Sequence, residues 1–161
     1  MHTRYMTTTA LLASLIAVSG SLKVPGILPG TEFQLSAPIA VAICAVYGFR
    51  QYFIAGVLAS SITLILGTQT IFNVAIALLF RVTVGLVLVV GGTSFVPVVI
   101  AGPLGSFVAR LCLIIIMEQA VWAVILSAVP GMVYTALTAW PLTVVLRKIV
   151  AKTEGSLTRA L

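Results

Sequence analysis

Two charges stand where charges are costly. Arg81 lies ten residues into the apolar run Ile71–Val90, and Glu118 lies inside the run Ile114–Trp122. A bare guanidinium or carboxylate at such a depth costs a few kcal/mol on insertion scales, so it must face a cavity and a partner. Two partners fit the pattern. Arg81 can bind an anionic or carbonyl-bearing ligand, or it can form a helix-to-helix ion pair with Glu118. Glu118, Gln119 and Trp122 together offer an acceptor, an amide and a flat apolar surface, which suits a small heterocyclic or zwitterionic ligand. Asn73 and Gln69 stand at the outer end of the Arg81 run, and Tyr134 stands one turn into the last run. Helix-end polarity explains the two amides equally well, and a Tyr near an interface is commonly part of the aromatic belt. Arg110 reads as a side chain that snorkels toward the cytoplasmic surface, with ligand contact as the alternative. No Ser-His-Asp, Cys-His or metal-ligand grouping exists; the sole His is His2, and Cys44 and Cys112 each sit in an apolar run as small hydrophobes. The sequence therefore predicts no catalysis, no metal and no cofactor.

The elements that hold these residues follow from composition. Of 161 residues, 61% are hydrophobic and 7% charged, against about 25% charged in soluble domains. So few charges cannot coat a globule, which excludes a soluble enzyme, a nucleic-acid module and a disordered tail. The net charge of +6 forms no stripe with interleaved aromatics, and a bilayer explains it better. A spanning helix needs about 20 mainly apolar residues. The chain reads as a single all-α integral membrane domain over 1–161 with six transmembrane helices. The first covers Thr8–Leu22, and the second opens at an N-capping Ser36 and ends near Tyr47. Gly48–Gln51 is predicted as a tight polar turn before a third span over Tyr52–Leu66. The fourth is Ile71–Val90. Pro97, Gly102 and Pro103 predict a short apolar connector and a fifth span starting near Gly102–Leu104. Pro130 predicts the start of a sixth that runs to about Ile149.

Six spans put Arg4, Arg50, Arg147, Lys148, Lys152 and Arg159 on one side and leave Lys23 on the other. Both termini are therefore expected in the cytoplasm. The loop Lys23–Ser36 is then extracellular; it is shaped by two Pro-Gly turns and carries Glu32 and Gln34 beside Phe33. It is long enough among tight connections to act as a lid. Ala10-xxx-Ser14 and Ala13-xxx-Ala17 in the first span are small residues one turn apart, a pattern that lets another helix approach closely. No internal repeat and no Walker motif is present, so energised transport needs a separate ATPase.

In this order along one short chain, the residues resemble the substrate-binding S components of energy-coupling-factor (ECF) vitamin transporters. The resemblance covers nearly the whole length. It rests on six spans, the Ala-rich first helix with Ala13-xxx-Ala17, the lid-like loop, and the run Ser36-Ala-Pro-Ile…Val46-Tyr-Gly-Phe-Arg50. It rests also on Leu104-Gly-Ser-Phe-Val108, similar to the fifth-helix opening of thiamine-type members, and on Pro130-Gly-Met-Val-Tyr…Pro141…Arg147-Lys148. It implies a plasma-membrane subunit of a prokaryote that binds a vitamin or precursor from outside, without enzymatic activity. The ligand would sit between the first loop and the outer halves of the last three helices. The partners it implies are a transmembrane coupling protein, docked on the small-residue face of the first helix, and two ATPase subunits. The family's fourth-helix ligand position falls at about Phe80/Arg81 and its fifth-helix position near Met117/Glu118. Thiamine members carry an acid on the fourth helix; Arg81 inverts that charge and points instead to a ligand with an acid or an electron-rich carbonyl. The competing reading is a membrane assembly or sensor subunit whose Arg81–Glu118 pair is purely structural.

Overall fold

The computed structural model describes residues 2–21, 23–25, 32–34, 36–117 and 121–158, with side chains left out at 2, 23–25, 32–34, 113, 116, 117, 121, 123, 124, 127 and 154–158. The described elements are α1 (His2–Ser21), β1 (Lys23–Pro25), β2 (Glu32–Gln34), α2 (Ser36–Tyr47), α3 (Phe49–Ile65), α4 (Ile71–Gly91), α5 (Phe95–Met117) and α6 (Val121–Thr158). Among the described residues three stretches are long and apolar enough to cross a membrane: Ile71–Gly91, Phe95–Cys112 and Ala128–Thr153. Their most apolar windows are only 17–28% buried within the chain, so most of that surface meets an apolar surrounding. Large exposed side chains such as Leu11, Ile65, Val90, Ile115 and Leu137 make the same point. A bundle this greasy on the outside is a membrane protein.

The interior is organised around α2. Pro38 and every residue from Ala40 to Ala45 are buried, and α2 packs chiefly on α6 while α1 packs chiefly on α3. Leu12, Ile16, Val41, Ile43, Tyr52, Val84 and Val98 form one continuous core. The connection from α2 to α3 is shorter than the predicted four-residue turn. Gly48 alone makes it, at φ 83°, and Phe49, Arg50 and Gln51 already belong to α3. The Phe49 ring lies where a Cβ on Gly85 would stand, so the turn is anchored on α4.

Many hydroxyls on these helices bond within their own helix. Thr7, Thr8, Thr9, Ser14 and Ser21 each donate their hydroxyl to the carbonyl four residues back, at 2.8–3.0 Å. Thr135, Thr138 and Thr143 on α6 do the same at 2.7–2.8 Å. Back-bonding of this kind lets a hydroxyl-rich helix sit in apolar surroundings without an orphaned donor.

Two expectations about proline are corrected. The fifth helix starts at Phe95 rather than near Gly102, and the sixth at Val121 rather than at Pro130. Pro97 lies in the first turn of α5, where its missing N–H is one the helix leaves unpaired anyway. Pro103, Pro130 and Pro141 lie inside helices. Apolar helices tolerate this when neighbouring helices support the freed carbonyl. The predicted lid segment contains a short antiparallel hairpin, with Lys23 opposite Gln34, Val24 opposite Phe33 and Pro25 opposite Glu32; β2 lies beside α6. At the other end Arg147 Nη2 donates to the Thr93 carbonyl at 2.7 Å and lies over the Trp140 ring, 5.9 Å from its centre. Trp140 in turn meets Phe95 edge to face at 5.3 Å. That chain of contacts ties α6 to the α4–α5 connection.

Candidate functional site

A cavity of about 500 Å3 opens among α1 to α6. Its α3 wall is a single helical face. Tyr52, Ser60 and Thr63 line it, spaced so that they stack one or two turns apart. The short connection makes α3 and α4 antiparallel, and Arg81 lies about as far into α4 as Gly56 lies from the end of α3. The Arg81 side chain runs across Gly56: a Cβ placed there would collide with its Nε and Cδ. Its Nη1 donates to Ser60 Oγ at 2.8 Å, and the residue is only 7% exposed. One N–H of the guanidinium is thus fixed by the protein and the rest of the fork remains for an acceptor.

The mouth of the cavity is built by the turn after α3. Leu66 caps the helix and Gly67 takes φ 70°. The Thr68 amide donates to the Thr63 carbonyl at 3.0 Å and the Gly67 amide to the Leu64 carbonyl at 3.0 Å. This is the paired bonding of a Schellman cap, which needs a left-handed residue at Gly67. Thr68 Oγ1 and the Gln69 amide also converge on the Thr63 carbonyl, at 2.9 and 3.3 Å. Gln69 is thereby held over the cavity, with its amide group against Gly20 at the end of α1. Thr70 then caps α4, accepting from the Asn73 amide at 3.3 Å.

Two residues that line this cavity each carry a buried polar atom with no hydrogen-bond partner: the Tyr52 hydroxyl, on a residue with 0% exposure, and Gln69 Oε1. Leaving such a group unpaired costs about 1–3 kcal/mol. A second guanidinium, Arg110 on α5, lines the same space. Two arginines and no described carboxylate make the cavity complementary to an anion.

The residues expected from sequence divide clearly. Arg81 and Asn73 line the cavity. Arg110, for which snorkelling and ligand contact are both expectations, lines it too. Trp122, expected beside a ligand, is 77% exposed and is not part of the wall. Tyr134 is half-buried and does not line the cavity, although its neighbour Thr135 does. Glu118 and Gln119 lie outside the described residues, as do the side chains of Glu32 and Gln34. Among the described residues no cluster of His, Cys, Asp or Glu could hold a metal.

Of the expected docking residues, Ala13 is 2% exposed and belongs to the core, and Ala17 packs against it. Ala10 and Ser14 are exposed, at the edge where that buried face of α1 gives way to the outer one. Tyr52 and Ser60 were not singled out by the sequence reading. The available signal was Tyr52-xxx-Gly56-xxx-Ser60, polar or small at every fourth position of an apolar run.

Gly56 carries a direct prediction. Gly56→Ala forces the Arg81 side chain, a flexible neighbour, off α3 while leaving the backbone able to fold. Thermal unfolding in detergent is expected to stay near that of the native chain, and affinity for an anionic ligand, measured by calorimetry, to fall at least about tenfold as the charge-assisted bond is misplaced.

Protein BioX from Lysinibacillus sphaericus is 50% identical to this chain over 146 residues, covering 91% of this chain and 88% of the relative. No family model and no solved structure matches the chain.

Proposed function

The chain belongs to the family of Protein BioX, and on that premise we propose that it is the substrate-binding S component of an energy-coupling-factor transporter. Its cargo is a small vitamin or vitamin precursor that carries a carboxylate. The observation that carries this reading is Arg81, buried against Gly56 and pinned by Ser60, with its remaining N–H groups facing a cavity of about 500 Å3. A guanidinium held this way recognises a planar anion through paired, charge-assisted hydrogen bonds. An assembly or sensor subunit with a purely structural arginine has no use for such a cavity, nor for an unpaired tyrosine hydroxyl on its wall.

The remaining parts rest on the sequence. The six helices form one domain over 1–161 and all cross the plasma membrane of a prokaryote. At 1.5 Å per residue α2 and α3, of 12 and 17 residues, are about 18 and 25 Å long. Both are short of a full bilayer core, which suits helices packed among longer neighbours. The basic residues Arg4, Arg50, Arg147, Lys148, Lys152 and Arg159 support cytoplasmic termini. The β1–β2 hairpin is read as the lid over the ligand from outside, and Glu32, Gln34, Glu118 and Gln119 are read from the sequence as further ligand contacts. Uptake is energised by a transmembrane coupling protein with two ATPase subunits, and the chain itself catalyses nothing.

The test is to extract the small molecules that co-purify with the detergent-solubilised protein and identify them by mass spectrometry. Each is then titrated back beside its amide. A carboxylic acid is expected, binding at least about tenfold more tightly than its amide, the loss that follows from removing a charged hydrogen-bond acceptor. A cationic cargo, or equal affinity for acid and amide, overturns the reading.

A further inference from the structure

The two unpaired atoms on the cavity describe the ligand more closely than the arginine does. Tyr52 is wholly buried, borders the cavity and has no partner for its hydroxyl. It lies one turn beyond Gly56 on the face over which the Arg81 side chain runs. At the other end of the same wall, Gln69 Oε1 is buried, also borders the cavity and also has no partner. Its backbone is fastened to Thr63, three residues along α3 from Ser60, a rise of about 5 Å. A hydroxyl beside a guanidinium completes a donor set for a carboxylate. An amide oxygen wants a donor. Both residues border the cavity and neither atom has a partner within the protein, so the cavity's occupant is the natural source of the missing partners.

We infer that the cavity takes a two-ended ligand: a carboxylate bound by Arg81 and the Tyr52 hydroxyl at the floor, and an N–H or O–H donor bound by Gln69 Oε1 at the mouth. This rests on the carboxylate reading above. Ser60 positions Arg81 and does not itself touch the ligand. Tyr52 and Gln69 set specificity: the first favours an ionised acid over its ester, the second favours an acid with a nearby donor over a plain fatty acid.

Biotin and pantothenate, acids with N–H or O–H donors, and octanoate, an acid without one, serve as probes. Each is titrated calorimetrically into the full-length protein and into Tyr52→Phe, Gln69→Leu and Arg81→Ala, with thermal unfolding of every preparation as the folding control. The native chain is expected to bind at least one donor-bearing acid about tenfold or more tightly than octanoate. Tyr52→Phe should weaken that acid about tenfold while melting at or above the native temperature, since it removes an unpaired buried hydroxyl. Gln69→Leu should erase the preference over octanoate and leave octanoate affinity unchanged. Native affinity in a folded Tyr52→Phe, or octanoate binding as well as the donor-bearing acids, overturns the inference while an affinity lost in Arg81→Ala keeps the carboxylate reading standing. Binding of none of the three acids by the native chain overturns both.

Discussion

Arg81→Ala is expected to bind its anionic ligand about ten to a hundred times more weakly than the native chain while unfolding at nearly the same temperature. The affinity loss is that of a hydrogen bond to a charged group, worth about 1.5–3 kcal/mol. The small change in stability follows from the environment. Arg81 is 7% exposed and its described partner is the neutral Ser60 hydroxyl, so its removal relieves the desolvation of a buried charge while giving up one bond to Ser60. It also vacates the slot over Gly56, which opens onto the cavity rather than into packed core. An Arg81–Glu118 strut predicts the opposite pair of results. Breaking a buried ion pair strands the other charge and costs about 3–5 kcal/mol, so the melting temperature would collapse. Ligand titration and thermal unfolding on one Arg81→Ala preparation separate the two. Arg81→Lys sharpens the comparison, because a lysine keeps the charge but has no planar fork. It should recover only part of the affinity.

Arg81 was legible because a charge within an apolar run has few bland explanations. Its companions were hidden for a physical reason. Tyr52 and Ser60 are ordinary residues of an amphipathic or buried helix face, and only the α3–α4 crossing, which lays Arg81 over Gly56, turns them into a site. The Ser36–Tyr47 and Ile71–Val90 boundaries were readable since capping residues and glycines mark them. Prolines misled at Pro103 and Pro130: sequence rules drawn from water treat them as starts or breaks, whereas apolar helices run straight through them here. Trp122 misled in a similar way. Its place four residues after Glu118 suggests a shared site, yet Trp122, the second residue of α6, is 77% exposed and faces outward. The small residues of α1 are expected to dock a partner, and sequence alone does not say which of the pairs Ala10/Ser14 and Ala13/Ala17 is taken up inside the chain; Ala13 and Ala17 are.

That last distinction yields the second large effect. Replacing both Ala10 and Ser14 by Trp is expected to abolish uptake in cells that carry the coupling protein and ATPases, while the purified variant binds its ligand as the native chain does. Both residues are exposed, and Ser14 Oγ is turned back onto the Ala10 carbonyl at 3.0 Å, so the surface they form is flat and presents no unpaired donor. A flat small-residue stripe is what a second helix needs for close approach in a membrane. Leu11 and Val18, 70% and 63% exposed, flank it with apolar surface. Two indole rings there hold a partner helix several ångströms away without disturbing the bundle, because both positions are exposed. Ala13→Trp is the control, and its outcome differs in kind. Ala13 is 2% exposed within the core, and overpacking such a position costs about 1–3 kcal/mol or more. Its thermal unfolding and ligand binding should both fail along with uptake. If the Ala10→Trp, Ser14→Trp double variant still transports at the native rate, the outer stripe of α1 is not the docking face. The coupling protein must then engage a different surface, and the exposed ends of α2 and α3 around Gly48 become the next place to look.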